Sequence, residues 1–113
     1  MNSIRNSVVL IGNLGQDPKL TVTPNGNKCA TFSLATNETY RNQEGERITT
    51  TEWHRCTAWG KLAETISNFC KKGKEVALRG KLTHRSYEDK DGVRRYISEV
   101  VVNDFTLLSK KEQ

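Results

Sequence analysis

Between residues 49 and 59, aromatic and basic side chains fall at even spacings: Trp53, Arg55 and Trp59. An extended chain turns successive side chains to opposite sides. As a strand, this segment carries Thr49, Thr51, Trp53, Arg55, Thr57 and Trp59 on one face, with His54, Cys56 and Ala58 on the other. A second segment divides in the same way, setting Arg79, Lys81, Thr83, Arg85 and Tyr87 against Val76, Leu78, Gly80, Leu82 and His84. Cations follow phosphates, and flat aromatic faces stack on unpaired bases at roughly 1–3 kcal/mol per base. A duplex hides those faces, and every base has one, so the pattern points to single-stranded nucleic acid gripped with little regard for sequence. A tryptophan in a strand is commonly half-buried structure, and a basic row is commonly a solvated edge. Two indoles flanking a guanidinium, beside a row of cations on a single face of another strand, weigh against that plainer reading.

Other chemistry finds little support. Cys29, Cys56 and Cys70 lack C-x-x-C spacing, and His54 with Cys56 makes two ligands, short of a zinc site. The same two residues are read as core groups rather than a Cys–His nucleophile pair. His84, on an apolar face, is read as a packed or interface histidine. Gly12-Asn13-Leu14-Gly15 lacks the Lys-Ser/Thr of a phosphate-cradling loop, and Glu88, Asp89 and Asp91 are read as a solvated turn. No catalytic residue, metal ligand or cofactor is expected, and the chain is read as a non-enzyme.

Turn signals and hydrophobic periodicity supply the elements that would position these faces. Residues 7–14 are β-branched and aliphatic and read as a strand buried on both sides. Gly15-Gln16-Asp17-Pro18 ends it, and Pro24-Asn25-Gly26 turns the chain into a second strand over 29–38. Ala30, Phe32 and Leu34 share its inner face. Strict alternation places Tyr40 with Phe32, so exposing Tyr40 calls for a bulge or a strand end near Asn37. The third strand covers 48–59. A helix over 60–70 follows, with Leu62, Ile66, Phe69 and Cys70 as its apolar stripe. Lys71 and Lys72 suit its negative end, and Gly73 is read as its left-handed stop. A fourth strand over 75–87 turns at Asp91-Gly92 into a fifth over 94–102, whose wet side stays open. Residues 105–108 add a short closing strand. This order is that of an all-β OB-fold, a five-stranded Greek-key barrel with one helix between its third and fourth strands. Fold alone does not decide function.

The 113 residues fit one domain, 1–108, with a short polar end over 109–113. Eighteen Lys and Arg against thirteen Asp and Glu leave a net charge of +5, which favours polyanionic partners. A hydrophobic fraction of 35% makes a modest core that self-association would complete. No apolar run spans a bilayer, so no membrane partner is expected. The start of the chain has no secretory signal, so the reading is cytoplasmic (nucleoid-associated), with reduced thiols.

At this point the sequence resembles the bacterial-type single-stranded DNA-binding proteins. The resemblance runs from about residue 7 to 107. It is carried by Gly12-Asn13-Leu14-Gly15-Gln16-Asp17-Pro18, Pro24-Asn25-Gly26, Thr51-Glu52-Trp53-His54-Arg55, Gly60-Lys61-Leu62-Ala63-Glu64 and Glu99-Val100-Val101-Val102-Asn103. It implies an OB-fold that assembles as a homotetramer and wraps single-stranded DNA in replication, recombination and repair. It implies base stacking by Tyr40, Trp53, Trp59 and Tyr87, and phosphate contacts by Arg41, Arg55, Lys61, Lys71, Lys72 and Arg85. Strand parity adds Arg79 and Lys81 to the phosphate set. His54 resembles the family's subunit-interface residue. Tyr40 and Tyr87 stand where tryptophan is common, Trp59 where phenylalanine is common, and Ser86 where lysine is frequent. The family's acidic Pro-Phe tip, which recruits partner enzymes, is not read in Lys110-Lys111-Glu112-Gln113. Two alternatives stay open, a dimeric replication-restart accessory protein of the same fold and a barrel whose aromatic face meets another polypeptide.

Overall fold

Strand-forming segments broken by turn residues build a computed structural model describing residues 4–108; the polar end read over 109–113 lies outside them. The elements in chain order are β1 (Val8–Leu14), β2 (Lys19–Val22), β3 (Lys28–Arg41), β4 (Arg47–Trp59), α1 (Lys61–Phe69), β5 (Glu75–Glu88) and β6 (Arg94–Leu107). The sheet order is β1-β5-β6-β4-β3-β2, and a further pairing of β1 with β3, Asn13 opposite Ala35 and Leu14 opposite Leu34, closes five of the strands into a barrel. The helix stands between β4 and β5. This is the OB-fold expected from the sequence, with β2 added as a short flap on the edge of β3.

Alternation fills the interior. Ala30, Phe32 and Leu34 of β3, Cys56 and Ala58 of β4, Val76 and Leu78 of β5 and Val100 and Val102 of β6 form one buried cluster, capped by Ala63, Ile66 and Cys70. Closure demands glycine where backbones touch. A Cβ at Gly12 would lie 2.1 Å from the Ala35 carbonyl oxygen, and one at Gly80 would lie 2.2 Å from that of Val101. Two ribbons run on beyond the barrel, β3–β4 around residues 37–51 and β5–β6 around residues 84–98, with nearly all side chains exposed. They raise the radius of gyration to 16.2 Å, against about 13 Å for a compact chain of about 100 residues.

Several local expectations are corrected. The first strand is buried on one face only: Val9 and Ile11 are 65% and 56% exposed, because no second layer among the described residues covers their side. The β2 strand escaped the sequence reading although Lys19-Leu20-Thr21-Val22 alternates polar and apolar residues; the run is only four residues long, all of them exposed, and it pairs with β3 alone. The final strand is continuous through Leu107. Its register slips by one residue at Asn103, since Val102 pairs with Gly80 while Asp104 pairs with Arg79. Phe69 is 61% exposed; it lies on the Leu62 side of the helix, away from the buried Ala63 and Cys70. Gly73 does not stop the helix. Cys70 already leaves it in an extended conformation, and Gly73, with φ 85°, serves the following turn and donates to the Leu14 carbonyl. Lys71 does meet the helix end, its Nζ 2.8 Å from the Ser67 carbonyl. Leu82 and His84 are exposed rather than in the core, because β5 has left the barrel by then; His84 pairs through Nδ1 with Ser98 Oγ at 2.8 Å.

Candidate nucleic-acid interface

The β4 strand pairs with β3 without a register break from Cys29–Trp59 to Arg41–Arg47. Its odd-numbered residues therefore all face away from the core. Trp53 and Trp59 are 61% and 48% exposed, with Arg55 and Thr57 between them. Parallel pairing sets Cys56 beside Val100 and Thr57 beside Val101, which brings Glu99 of β6 next to Arg55. On the far side of β6, Thr83 pairs with Glu99, and Arg85 stands two residues along the same face of β5. The three strands make one wall bearing Trp53, Arg55, Trp59, Lys81, Arg85 and Tyr87.

Glu99 lies at the centre of this wall. Among the described residues it is the only charged residue in the buried class, at 9% exposure. Its Oε2 accepts from Thr57 Oγ1 at 2.9 Å and from Arg55 Nε at 3.4 Å, and its Oε1 accepts from Arg85 Nε at 3.0 Å. Burial pushes the carboxyl upward, but the hydrogen bonds from Thr57, Arg85 and Arg55, with the Arg85 charge, outweigh it and hold Glu99 below the usual carboxylate range.

Two hollows meet at Arg55 and Thr31. One, of about 390 Å³, is lined by Cys29, Thr57, Trp59, Arg85 and Glu99 as well. The other, of about 360 Å³, runs under β2 past Gln16, Lys19, Thr21 and Ser33. Together they form a groove with aromatic, cationic and hydroxyl walls. Trp53 closes over Gly15, whose missing side chain leaves room for the indole.

The other residues singled out in the sequence lie elsewhere. Tyr40 is exposed without any bulge or strand end, because the ribbon simply outruns the barrel; its parity puts it on the face opposite Trp53. Arg41 is at the ribbon tip, its Nη1 3.1 Å from the Gly45 carbonyl. Lys61 opens α1 two residues after Trp59, exposed. Lys71 and Lys72 are exposed beyond the helix, and the Lys72 amide donates to Asp17 Oδ1 at 2.8 Å. Arg79 stands apart on the β1–β5–β6 wall, beside Val9 and 3.6 Å from Asp104. That is six residues from Arg85, about 20 Å along the strand. His54 is half-buried on the face opposite Trp53, its Nε2 2.8 Å from Thr36 Oγ1. Sequence reasoning set Thr57 on this face without giving it a role, and missed Glu99, Lys19 and Thr21. The signal for Glu99 was an acid amid aliphatic residues in a strand; that for β2 was the short polar–apolar alternation of Lys19-Leu20-Thr21-Val22.

No group of three or more His, Cys, Asp or Glu able to hold a metal occurs among the described residues, and no helix among them is long and apolar enough to cross a membrane.

The single-strand binding protein family matches residues 5–108 of the chain. A protein of Neisseria meningitidis serogroup B named single-stranded DNA-binding protein is 41% identical over 108 residues, 96% of this chain and 62% of its own length. Single-stranded DNA-binding protein 1 of Chlorobaculum tepidum is 43% identical over 95% of this chain and 67% of its own. The chain thus spans about 62–67% of the length of these curated relatives. Among solved structures, one titled Plasmodium falciparum SSB complex with ssDNA matches with a TM-score of 0.84 and 32% identity, over 96% of this chain and all of that one.

Proposed function

The chain belongs to the single-strand binding protein family, and from that premise we propose that it binds and protects single-stranded DNA, with little sequence preference, in replication, recombination and repair. The observation that carries this reading is the β4–β6–β5 wall, where exposed Trp53 and Trp59 flank Arg55, and Arg55, Trp59 and Arg85 line one hollow. Bases stack on Trp53 and Trp59, with Tyr87 further along the same face of β5 and Tyr40 met where the strand rounds the β3–β4 ribbon. Arg55, Arg85 and Lys81 take phosphates on the wall, Lys61, Lys71 and Lys72 around the helix, and Arg41 at the ribbon tip. Arg79 belongs to this set only if the strand passes over the β1 side. The protein works as a binder and performs no covalent step, and it acts in the cytoplasm at the nucleoid.

It does so as a homo-oligomer, a tetramer. The exposed Val9 and Ile11 on the uncovered face of β1 support a second copy packing there, with His54 contributing to a subunit contact. Native mass distinguishes a tetramer from a dimer.

Titration with oligo(dT) tests the central reading. Stacking on Trp53 and Trp59 quenches their emission, and affinity falls with salt at a logarithmic slope of about −0.7 per phosphate neutralised. Unchanged emission at low salt, with no binding by an independent method, overturns it.

A further inference from the structure

We propose that Glu99 is a positioning residue of this interface: its carboxylate holds Arg55 and Arg85 by their Nε edges, and so sets their terminal Nη groups, one on each side of β6, against the same stretch of phosphodiester backbone. The inference rests on the single-strand reading above and deepens it.

An arginine carries five N–H donors in a planar fork. Both guanidiniums engage Glu99 through Nε alone, at 3.4 and 3.0 Å, and neither makes another hydrogen bond or ion pair among the described residues. Four Nη donors on each remain for phosphate oxygens, which such forks grip in pairs. The carboxylate itself cannot swing away readily, since it is buried and Thr57, 6% exposed, fixes Oε2 from below. Placed without an anion between them, two guanidiniums across one narrow strand would repel and spread. With Glu99 present, two long side chains from different strands lose much of their freedom before DNA arrives, and ordering cost at binding falls accordingly.

Simple charge counting leads to the opposite expectation. An acid in the middle of an anion-binding groove repels phosphates, so its removal should tighten binding. The two accounts therefore differ in sign.

The test uses the isosteric Glu99→Gln in the full chain, titrated with oligo(dT) at several salt concentrations. Positioning by Glu99 makes binding about tenfold weaker at matched salt. It also makes the salt slope shallower by about 1.4, two phosphates at about 0.7 each. Both effects vanish when Arg55→Ala and Arg85→Ala are already present, because the acid acts through those residues. Equal or tighter binding by Glu99→Gln overturns the inference and leaves the single-strand reading standing, as does a loss that persists unchanged without the arginines. Failure of the wild-type chain to bind oligo(dT) instead removes the reading beneath it. Should Glu99→Gln not fold, NMR of the arginine Nε–H groups in the wild-type chain decides. Both signals stay protected from exchange when oligo(dT) binds if Glu99 keeps its hold, and their loss on binding refutes it.

Discussion

The indole of Trp53 rests on Gly15: a Cβ built at that glycine would lie 2.5 Å from Cζ3 of the ring and 2.9 Å from Cη2. The obstacle is the far end of a side chain that is itself 61% exposed, so it can rotate away. We expect Gly15→Ala to fold with nearly wild-type stability, to shift Trp emission and to weaken oligo(dT) binding severalfold. Thermal melting and fluorescence titration of the same sample check this. A variant with unaltered affinity would mean that the position of Trp53 over Gly15 does not matter for binding.

Gly12→Ala should behave differently. Its added methyl meets the backbone carbonyl of Ala35 at 2.1 Å, at the seam where β1 closes onto β3, and neither strand can turn aside. Overpacking of this kind costs about 1–3 kcal/mol, read as a lowered urea midpoint. A midpoint equal to wild type would show that the seam yields.

Lys19 lies in the hollow under β2, which joins the Trp59 hollow at Arg55 and Thr31. Lys19→Ala should weaken oligo(dT) binding severalfold and reduce the salt slope by about 0.7, because one fewer phosphate is neutralised. A fall in affinity without a change of slope would assign Lys19 another role.

Acid should erase what Glu99 contributes to stability. Its folded-state carboxyl titrates below the ordinary value of 4.5, because the bonds from Thr57, Arg85 and Arg55 outweigh the upward push of burial. A depressed carboxyl stabilises fully above its unfolded value, and that stabilisation disappears as pH falls through the lower folded value. The difference in urea midpoint between wild type and Glu99→Gln should hold constant at neutral pH and shrink as pH falls below the ordinary carboxyl value of 4.5. A difference that persists at the lowest pH would detach it from ionisation.

The thiols should divide by depth. Burial pushes Cys56 up to about 12 and Cys70 to about 11, the latter against the pull of Lys71. Since the thiolate is the reacting form, both should stay silent toward a disulfide reagent at pH 8 until denaturant is added. Cys29 is also buried, but at 9% exposure it is the shallowest of the three and lines the groove beside Trp59, so it is the thiol whose slow native reaction oligo(dT) should slow further. Reaction of Cys56 at its unfolded rate in the native protein would contradict the burial of that face.

Strand parity was legible wherever a segment stayed against the barrel. Phe32 and Leu34 inside, and Trp53, Arg55 and Trp59 outside, follow from a period of two that one buried face enforces. The order of strands around the single helix likewise marks a small closed barrel from the residues alone. Past the barrel's end parity still holds but no longer predicts burial, because both sides of a ribbon are wet; this is why Leu82 and His84 are exposed, and why Tyr40 is exposed while keeping the parity of Phe32. In β2 the alternation of Lys19-Leu20-Thr21-Val22 is present, but four exposed residues are too short a run to stand out.

The barrel, the two outward indoles and the basic excess are written along the chain, because periodicity and turn residues are local properties that neighbouring positions carry. Which cations meet is not written there. Arg55 and Arg85 lie thirty positions apart and share Glu99 only because β6 inserts between their strands, while Arg79, on the same face of β5 as Arg85, ends beside Val9 and Asp104. A closed sheet turns one continuous outer face toward several directions, and no count along the sequence records which way a given row comes to look.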